Sequence, residues 1–476
     1  MTNVMKKAAK YLILFFALCM ACGFCSAKSK ETYHITLTIE GNNDTVMYMG
    51  HYYAAGNLVV DTAKRDRKGQ FVFSGTKELK PGMYFFANPK GNYADFVVYH
   101  EKPFFKFKTI ERNWTLNMEV EGSKENQLVY NYQRMIDNIY KEFENQRAGL
   151  DSATAANFYH TTIRSTIDSA SRAFIKSNPN CMIAKVLMVS IPPEVPLLDD
   201  TGRELSNNER FYYMLDHYFD NIPLDDEMII RTPKGVFYQH IMDYLDRALK
   251  GALPSDIIPR VDAMLDRCTP DGEVFQWLLL TCAQKYLQSN VMSYDEIYVH
   301  LILKYYANAN WAEPSSIEQE VDRATKWDRL LIGREAPELI MFDTLRHAHS
   351  LHRMPSEYKL LVFWSPTCGH CKQTVPKLYS HFEHYADSLS LSVYAVLTEP
   401  DESTIKQWKN FLANNHIDNP LWVNLNGGEA NIDWREVYDV QTTPQVYLLD
   451  GDNKILAKKL DGELFELVLK NLIKKK

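Results

Sequence analysis

The sequence lacks the excess of positive charge that nucleic-acid-binding proteins carry. Its 476 residues include 53 Lys and Arg against 60 Asp and Glu, which gives a formal net charge of −7 at pH 7. Nucleic-acid backbones are bound mainly through clustered basic side chains, so we expect no nucleic-acid partner. The chain is also too long for one hydrophobic core, and two to four domains are expected.

Cysteine is scarce as well, with eight residues in the chain. After residue 27 the CxxC spacing occurs once, at Cys368 and Cys371. A structural zinc site needs about four ligands, and no second CxxC follows residue 27, so we expect neither a metal nor another cofactor. Three histidines are close in sequence but are interpreted as part of a polar loop: His347, His349 and His352.

The three other cysteines after residue 27 are Cys181, Cys268 and Cys282. An odd number cannot pair completely within the chain. Cys268 and Cys282 could form a disulfide across a helical hairpin, or all three could be buried free thiols. The spacing alone leaves both interpretations open.

The N-terminal apolar run is too short for a comfortable membrane span. It covers Tyr11–Ala21, follows three lysines and precedes small residues that end at Ala27. This layout predicts a signal peptide over residues 1–27, and therefore export to the periplasm or cell envelope, where disulfides form. A lipoprotein signal with a lipid anchor at Cys22 is the alternative. A second CxxC, from Cys22 to Cys25, lies inside this segment and is interpreted as part of the signal.

Residues 28–122 alternate between apolar and polar side chains in short runs, with turn residues between the runs. Regular short strands of this kind predict an antiparallel β-sandwich. The expected strands are 33–39, 45–49, 58–61, 70–74, 83–87, 96–99 and 104–108.

Residues 123–331 change to the three- and four-residue apolar spacing of amphipathic helices, which predicts an all-α domain. The Pro-rich loop Ile191–Pro196 must interrupt it, because proline cannot continue a helix. The expected helices include 152–176, 205–219, 235–250, 257–267, 273–288, 293–307 and 315–329.

Residues 332–476 alternate strands with helices, which predicts a compact α/β domain and, for the whole chain, a multidomain α+β fold. Within it, the buried strand Leu360–Trp364 leads through a short loop into a helix that opens at Cys368. The first turn of a helix has unpaired N–H groups and a partial positive charge, which favour a thiolate. In such settings a cysteine pKa can fall from about 8.5 to roughly 3.5–7.5. Cys371 lies one helical turn away, close enough to form a disulfide.

The C-terminal region resembles the thioredoxin-fold domains of the TlpA/ResA periplasmic type. The resemblance rests on Ala336-Pro337, Phe363-Trp364, Cys368-Gly369-His370-Cys371, Pro376 and Thr443-Pro444. It implies that Cys368 attacks the substrate and Cys371 resolves, in a redox-active disulfide. It also implies a cis Thr443-Pro444 bond beside that pair, and substrate binding by Trp364, Thr443 and Pro444. The two preceding regions resemble domains of unknown function in Gram-negative envelope proteins.

Two positions depart from that family. Val362 stands where thioredoxin carries a buried Asp, and Thr374 stands where close relatives carry a Glu. The usual carboxylates are therefore missing, and Glu399 is a candidate proton acceptor for Cys371.

The expected function is thiol–disulfide exchange on protein disulfides. CGHC is the active-site sequence of protein disulfide isomerase, whose potential is about −180 mV against about −270 mV for thioredoxin. Gly369 and His370 are expected to tune the potential. The motif leaves isomerase or oxidase activity open, whereas the resemblance favours a reductase that receives electrons from a membrane or periplasmic thiol donor.

Two other functions remain open at this point. A peroxiredoxin-like peroxidase is suggested by Ser365, three residues before Cys368, although Leu361 stands where a Pro is expected. An envelope binding or scaffold protein with a vestigial thioredoxin module would explain the missing carboxylates.

Overall fold

The computed structural model describes residues 30–147, 151–343 and 345–475, and the chain forms two compact units. The first extends to Glu194 and includes Asp220–Pro223 and Glu227–Ile241; the second comprises Val195–Phe219, Leu224–Asp226 and Met242–Lys476. The predicted signal segment, with Cys22, lies outside the described residues. Within them, no helix combines the length and apolar composition needed to cross a membrane.

Eight strands open the first unit. They are β1 (Tyr33–Glu40), β2 (Val46–Tyr53), β3 (Gly56–Lys64), β4 (Gln70–Gly75), β5 (Gly82–Ala87), β6 (Tyr93–Val98), β7 (Phe104–Ile110) and β8 (Glu119–Glu121). They form two four-stranded sheets with the orders β4-β1-β7-β8 and β3-β2-β5-β6. Alternate side chains of both sheets, among them Leu37, Phe86 and Phe107, meet in one apolar core. The seven predicted strands are confirmed.

The prediction that these strands pair antiparallel throughout is wrong for one pair. β1 and β7 are parallel, with Ile35 opposite Phe105 and Leu37 opposite Phe107. Alternation of apolar residues determines which face of a strand is buried, but it carries no information on the direction of the neighbouring strand. The sequence pattern therefore predicts the strands and not this pairing.

The middle of the chain is helical. Its helices are α1 (Lys124–Arg147), α2 (Ser152–Phe158), α3 (Arg164–Ser177), α4 (Met182–Val189), α5 (Asn207–Asp216), α6 (Phe237–Asp243), α7 (Pro254–Asp266), α8 (Glu273–Leu287), α9 (Asp295–Lys304) and α10 (Pro314–Asp328). Short π-helical turns continue α2 and α6, at Tyr159–Ile163 and Tyr244–Ala248, and 3₁₀ turns lie at Ile229–Arg231 and Tyr306–Asn308. Cys181, Cys268 and Cys282 are buried free thiols, so the disulfide considered for Cys268 and Cys282 is absent.

The C-terminal region is built on a seven-stranded sheet with the order β10-β9-β13-β12-β11-β14-β15. The strands are β9 (Ile340–Asp343), β10 (Ala348–Ser350), β11 (Tyr358–Trp364), β12 (Leu391–Leu397), β13 (Trp422–Ala430), β14 (Gln445–Asp450) and β15 (Ile455–Lys458). The helices are α11 (Gly369–Leu389), α12 (Glu402–Asn414), α13 (Trp434–Val437) and α14 (Gly462–Lys475). Separate apolar clusters cover the two faces of the sheet. Both faces of β11 are buried, which explains its continuous apolar sequence.

The predicted domain boundaries at 122/123 and 331/332 stay predictions.

The expected polar loop around the three histidines is wrong for His349, which lies in β10. The ring nitrogens of His347 and His349 both face the carboxylate of Asp343, at 3.2 and 3.1 Å. A three-residue strand is too short for a visible alternation, so the sequence did not reveal it.

Asn126 in α1 ties this helix to the edge strand β6. Its side chain is fully buried. Its Oδ1 accepts the Val97 N–H at 2.7 Å, and its Nδ2 donates to the Val97 carbonyl at 2.8 Å. One side chain thus satisfies both backbone groups of a residue on the open side of the strand.

We predict that Asn126→Leu weakens this attachment. The change leaves two buried backbone groups unpaired, and each costs roughly 1–3 kcal/mol. We expect a lower unfolding midpoint and faster amide hydrogen exchange at Val97. Gln127→Leu is the matched control, because the exposed Gln127 donates to the Val120 carbonyl at 3.0 Å where water can replace it. Unchanged exchange at Val97 in Asn126→Leu would contradict the role of Asn126.

Candidate active site

Cys368 lies at the junction between a buried strand and a helix, as predicted. β11 ends at Trp364, and Cys368 is the N-cap residue of α11. Its Sγ accepts the backbone N–H of Cys371 at 3.3 Å, where an N-cap side chain satisfies one of the free N–H groups of the first turn. The sulfur therefore lies where the helix favours negative charge.

The Thr443-Pro444 loop lies against this cysteine. The peptide bond between the two residues is cis, as the resemblance implied. The Cys368 Sγ donates to the Thr443 carbonyl at 3.2 Å. The sheet explains this proximity: β14 runs antiparallel to β11 with Gln445 opposite Phe363, so the residues before β14 meet the residues after β11.

The pKa values of the two thiols are shifted in opposite directions. Burial opposes ionisation of Cys368, but hydrogen bonds with the Cys371 and Thr443 side chains and from backbone N–H groups of the first helical turn lower its pKa. Cys371 is fully buried, and burial, together with its hydrogen bond to Cys368, raises its pKa to about 12. Both are free thiols in this structure. Cys368 is thus the sulfur that ionises and is partly exposed.

The other predicted site residues have different positions. Gly369 and His370 are exposed on the first turn of α11, and Thr443 and Pro444 are partly exposed. Trp364 corrects the prediction of a substrate-binding role: its side chain has no exposed surface and packs against Phe411, with ring centroids 5.1 Å apart. A ring with no exposed surface offers no contact to a substrate in this structure.

A hydroxyl and carboxylate network holds the loop before Cys368. The Glu399 carboxylate accepts hydrogen bonds from Ser365 Oγ at 2.7 Å and Thr367 Oγ1 at 2.8 Å. These bonds lower the pKa of Glu399. These hydrogen bonds of Glu399 go to the loop hydroxyls and not to Cys371. The sequence had suggested Glu399 as the proton acceptor for Cys371. The contribution of Thr367 was missed, because a lone hydroxyl in a loop has no distinctive pattern.

Val362 and Thr374 provide no carboxylate, as the sequence shows. Val362 is buried in the apolar core around β11, and Thr374 is partly exposed on α11. Among the described residues, no three His, Cys, Asp or Glu side chains are grouped as ligands for a metal ion.

Three family models match successive parts of the chain. Residues 33–129 match a domain of unknown function (DUF4369), and residues 166–325 match a second domain of unknown function (DUF5106). Residues 356–455, which include Cys368, Cys371 and Thr443-Pro444, match the thioredoxin-like family model.

Known proteins match about a third of the chain or less. The thiol-disulfide oxidoreductase ResA of Bacillus thuringiensis subsp. konkukian is 26% identical over 151 residues, which are 32% of this chain and 82% of the relative. The thioredoxin-like protein YneN of Bacillus subtilis is 28% identical over 118 residues, 25% of this chain and 65% of the relative.

Solved structures resemble this chain over 30% and 58% of its length in two cases. A domain of a possible thiol-disulfide isomerase from Cytophaga hutchinsonii is 31% identical, with a TM-score of 0.28, and the match covers 30% of this chain and 95% of that one. A thioredoxin-like protein from Bacteroides caccae is 21% identical, with a TM-score of 0.47, covering 58% of this chain and 98% of that one. Residues 356–455 of this chain therefore form a thioredoxin-like domain, and the homologues of the chain include the ResA thiol-disulfide oxidoreductases.

Proposed function

We propose that this chain is an exported thiol–disulfide oxidoreductase that reduces protein disulfides with Cys368 and Cys371. The asymmetry of the two thiols carries the proposal. Cys368 is partly exposed and has a lowered pKa, whereas Cys371 is buried and its pKa is raised to about 12. A thiolate is the attacking species in disulfide exchange, so the first attack belongs to Cys368.

In the first step the Cys368 thiolate attacks one sulfur of a substrate disulfide. The substrate S–S bond breaks, its other sulfur leaves as a thiolate, and a mixed disulfide joins Cys368 to the substrate. The Thr443 carbonyl accepts a hydrogen bond from the Cys368 thiol at 3.2 Å, and we propose that it accepts a backbone N–H of an extended substrate in the complex.

In the second step Cys371 attacks the Cys368 sulfur. The mixed disulfide breaks, Cys368 and Cys371 form a disulfide, and the second substrate sulfur leaves as a thiolate that takes up a proton. The net change is oxidation of the two protein thiols by two electrons and reduction of the substrate disulfide to two thiols. A thiol donor of the membrane or periplasm then returns the protein to the reduced form.

Cys371 must lose a proton in the second step, and its burial makes this costly at neutral pH. The Glu399 carboxylate, whose pKa is lowered, binds the loop through Ser365, and a hydrogen bond with the Ser365 backbone offsets part of the rise in the pKa of Cys371. We therefore assign Glu399 a positioning role for the loop that carries Cys368.

The Ser365 hydroxyl bonds Glu399 and Thr367 rather than the cysteine, which gives no support to a peroxidase.

Export is supported by the charged and apolar layout of residues 1–27. The reductase direction is supported by the resemblance to the ResA type. His370 is proposed to hold the potential above the value that the chain would have with Pro at this position, because its side chain stabilises the reduced thiolate.

The thiol asymmetry predicts selective alkylation. We expect iodoacetamide to modify Cys368 with a pH midpoint below the ordinary thiol value of about 8.5, while Cys371 stays protected in the folded protein at that pH. The measurement is mass spectrometry of modified peptides over pH 5–10, with the unfolded protein as the control for intrinsic reactivity. Equal modification of the two cysteines in the folded protein would contradict the assignment.

The mechanism predicts that Cys371→Ser accumulates the mixed disulfide. Without the resolving thiol, the second step cannot release the substrate, so a disulfide-containing protein such as insulin should remain attached to Cys368. Non-reducing electrophoresis measures the adduct. Cys368→Ser is the matched control and should form none, since Cys371 is buried. Capture by Cys368→Ser with none by Cys371→Ser would reverse the roles.

The direction of electron transfer is tested by measuring the reduction potential of the Cys368–Cys371 pair in a titration against glutathione. A reductase predicts a potential near −270 mV or below, whereas a value near −180 mV or above would indicate an isomerase or oxidase.

His370→Pro should lower the potential, because it removes a side chain that stabilises the thiolate. His384→Ala, on the exposed surface of the same helix, is the control. An unchanged potential in His370→Pro would rule out tuning by His370.

A further inference from the structure

A cleft of about 900 Å³ opens beside the active site, within the second unit. One wall comes from the thioredoxin-like domain and includes His370, Thr374 and Pro444. The opposite wall comes from the end of α8, the loop that follows it and the helix α10, with Asn290 and Gln319 among its residues. Residues of the helical middle therefore lie next to the redox site.

A buried ion pair fixes this helical wall to the sheet. Lys458 in β15 pairs with Asp295, the first residue of α9, and both side chains are almost completely buried. The Lys458 Nζ also donates to the Leu330 carbonyl, just beyond α10, at 2.6 Å. Loss of one partner of a buried pair leaves an uncompensated charge, so we expect separation of these two segments to be costly.

Two contacts attach α10 to the residues that precede the cis-proline loop. The Trp327 indole N–H donates to Asp439 at 2.6 Å, and Lys326 pairs with Glu436 at 2.5 Å. Asp439 lies five residues before Pro444. The helical wall and the loop that contacts Cys368 are thus linked by side chains, and the cleft between them is formed before any substrate binds.

The chemistry of the lining suits a polypeptide rather than a small charged molecule. Its charged side chains balance, with Asp295, Asp322, Asp439 and Asp461 against Arg323, Lys326, Lys458 and Lys459. Amide side chains, which both donate and accept as peptide groups do, line both walls: Gln288, Asn290, Gln319, Gln441 and Gln445. The volume lies in the range of about 300–1,000 Å³ that binds drug-sized ligands, far more than a disulfide alone needs.

We propose that this cleft binds the polypeptide segment that flanks the reacting cysteine of a client protein. The helical middle then forms part of the substrate-binding site and selects polypeptide disulfides over small-molecule disulfides. This inference rests on the proposed exchange function and names its substrate class.

The test compares two probes that carry the same leaving group. One is an unstructured ten-residue peptide whose central cysteine forms a disulfide with thionitrobenzoate; the other is N-acetylcysteine amide with the same disulfide. The Cys368 thiolate attacks the cysteine sulfur of either probe, forms a mixed disulfide and releases the coloured thionitrobenzoate thiolate. A full-length chain with Cys371→Ser stops at this step, so the colour reports one attack.

We expect the peptide to react faster than N-acetylcysteine amide. Gln319→Trp and Asn290→Trp each introduce bulk into the cleft, and we expect the ratio of the peptide rate to the small-probe rate to fall at least tenfold. Glu318→Trp is the matched control: Glu318 is exposed on the same helix outside the cleft, and the ratio should stay at its original value.

The outcomes separate the two proposals. A ratio that does not change in Gln319→Trp and Asn290→Trp, with both probes reacting, would overturn the cleft as a polypeptide site and leave exchange intact. Equal rates for the two probes in the protein with an unmodified cleft would also overturn the cleft as a polypeptide site and leave exchange intact. If neither probe releases thionitrobenzoate, the exchange function fails, and the cleft proposal fails with it.

Discussion

The pairing of β11 with β14 is the constraint on which the active site depends. The two strands run antiparallel with Val362 opposite Val446 and Phe363 opposite Gln445. This register places the end of one strand beside the start of the other, so Cys368 after β11 meets Thr443 before β14. A shift by one residue would turn every side chain of β11 to the other face of the sheet and separate the two. The apolar residues that cover both faces of β11 therefore also determine the redox geometry.

The acidity of the two thiols follows from their positions in one helical turn. Cys368 caps the helix and has hydrogen bonds that outweigh its partial burial, whereas Cys371 points into the core and receives no comparable compensation. One turn of helix thus produces an ionisable nucleophile and a protected second thiol. The missing carboxylates at positions 362 and 374 leave this difference intact, because it arises from burial and from the helix N-terminus.

The helical middle gains a role through its attachment to the thioredoxin-like domain. Lys458 and Asp295 come from segments more than 160 residues apart in sequence, yet they form a buried pair beside the cleft. Trp327 and Lys326 extend this attachment to the residues before Pro444. Residues from the helical middle thus line one side of the cleft, next to His370 and Pro444 of the thioredoxin-like domain.

The sequence by itself determined the local elements and the reacting pair. Apolar periodicity predicted the strands of the first region and most of the helices, and the strand before a CxxC predicted a thiol at a helix N-terminus. Tertiary structure decided what depends on residues distant in the chain. It paired β1 with β7 in parallel, buried Trp364, directed Glu399 to Ser365 and Thr367, and brought α10 to the cleft. Local sequence patterns indicate which residues prefer burial or a given backbone conformation. Contacts between remote segments depend on the packing of the whole unit, and no periodic pattern in the sequence predicts them.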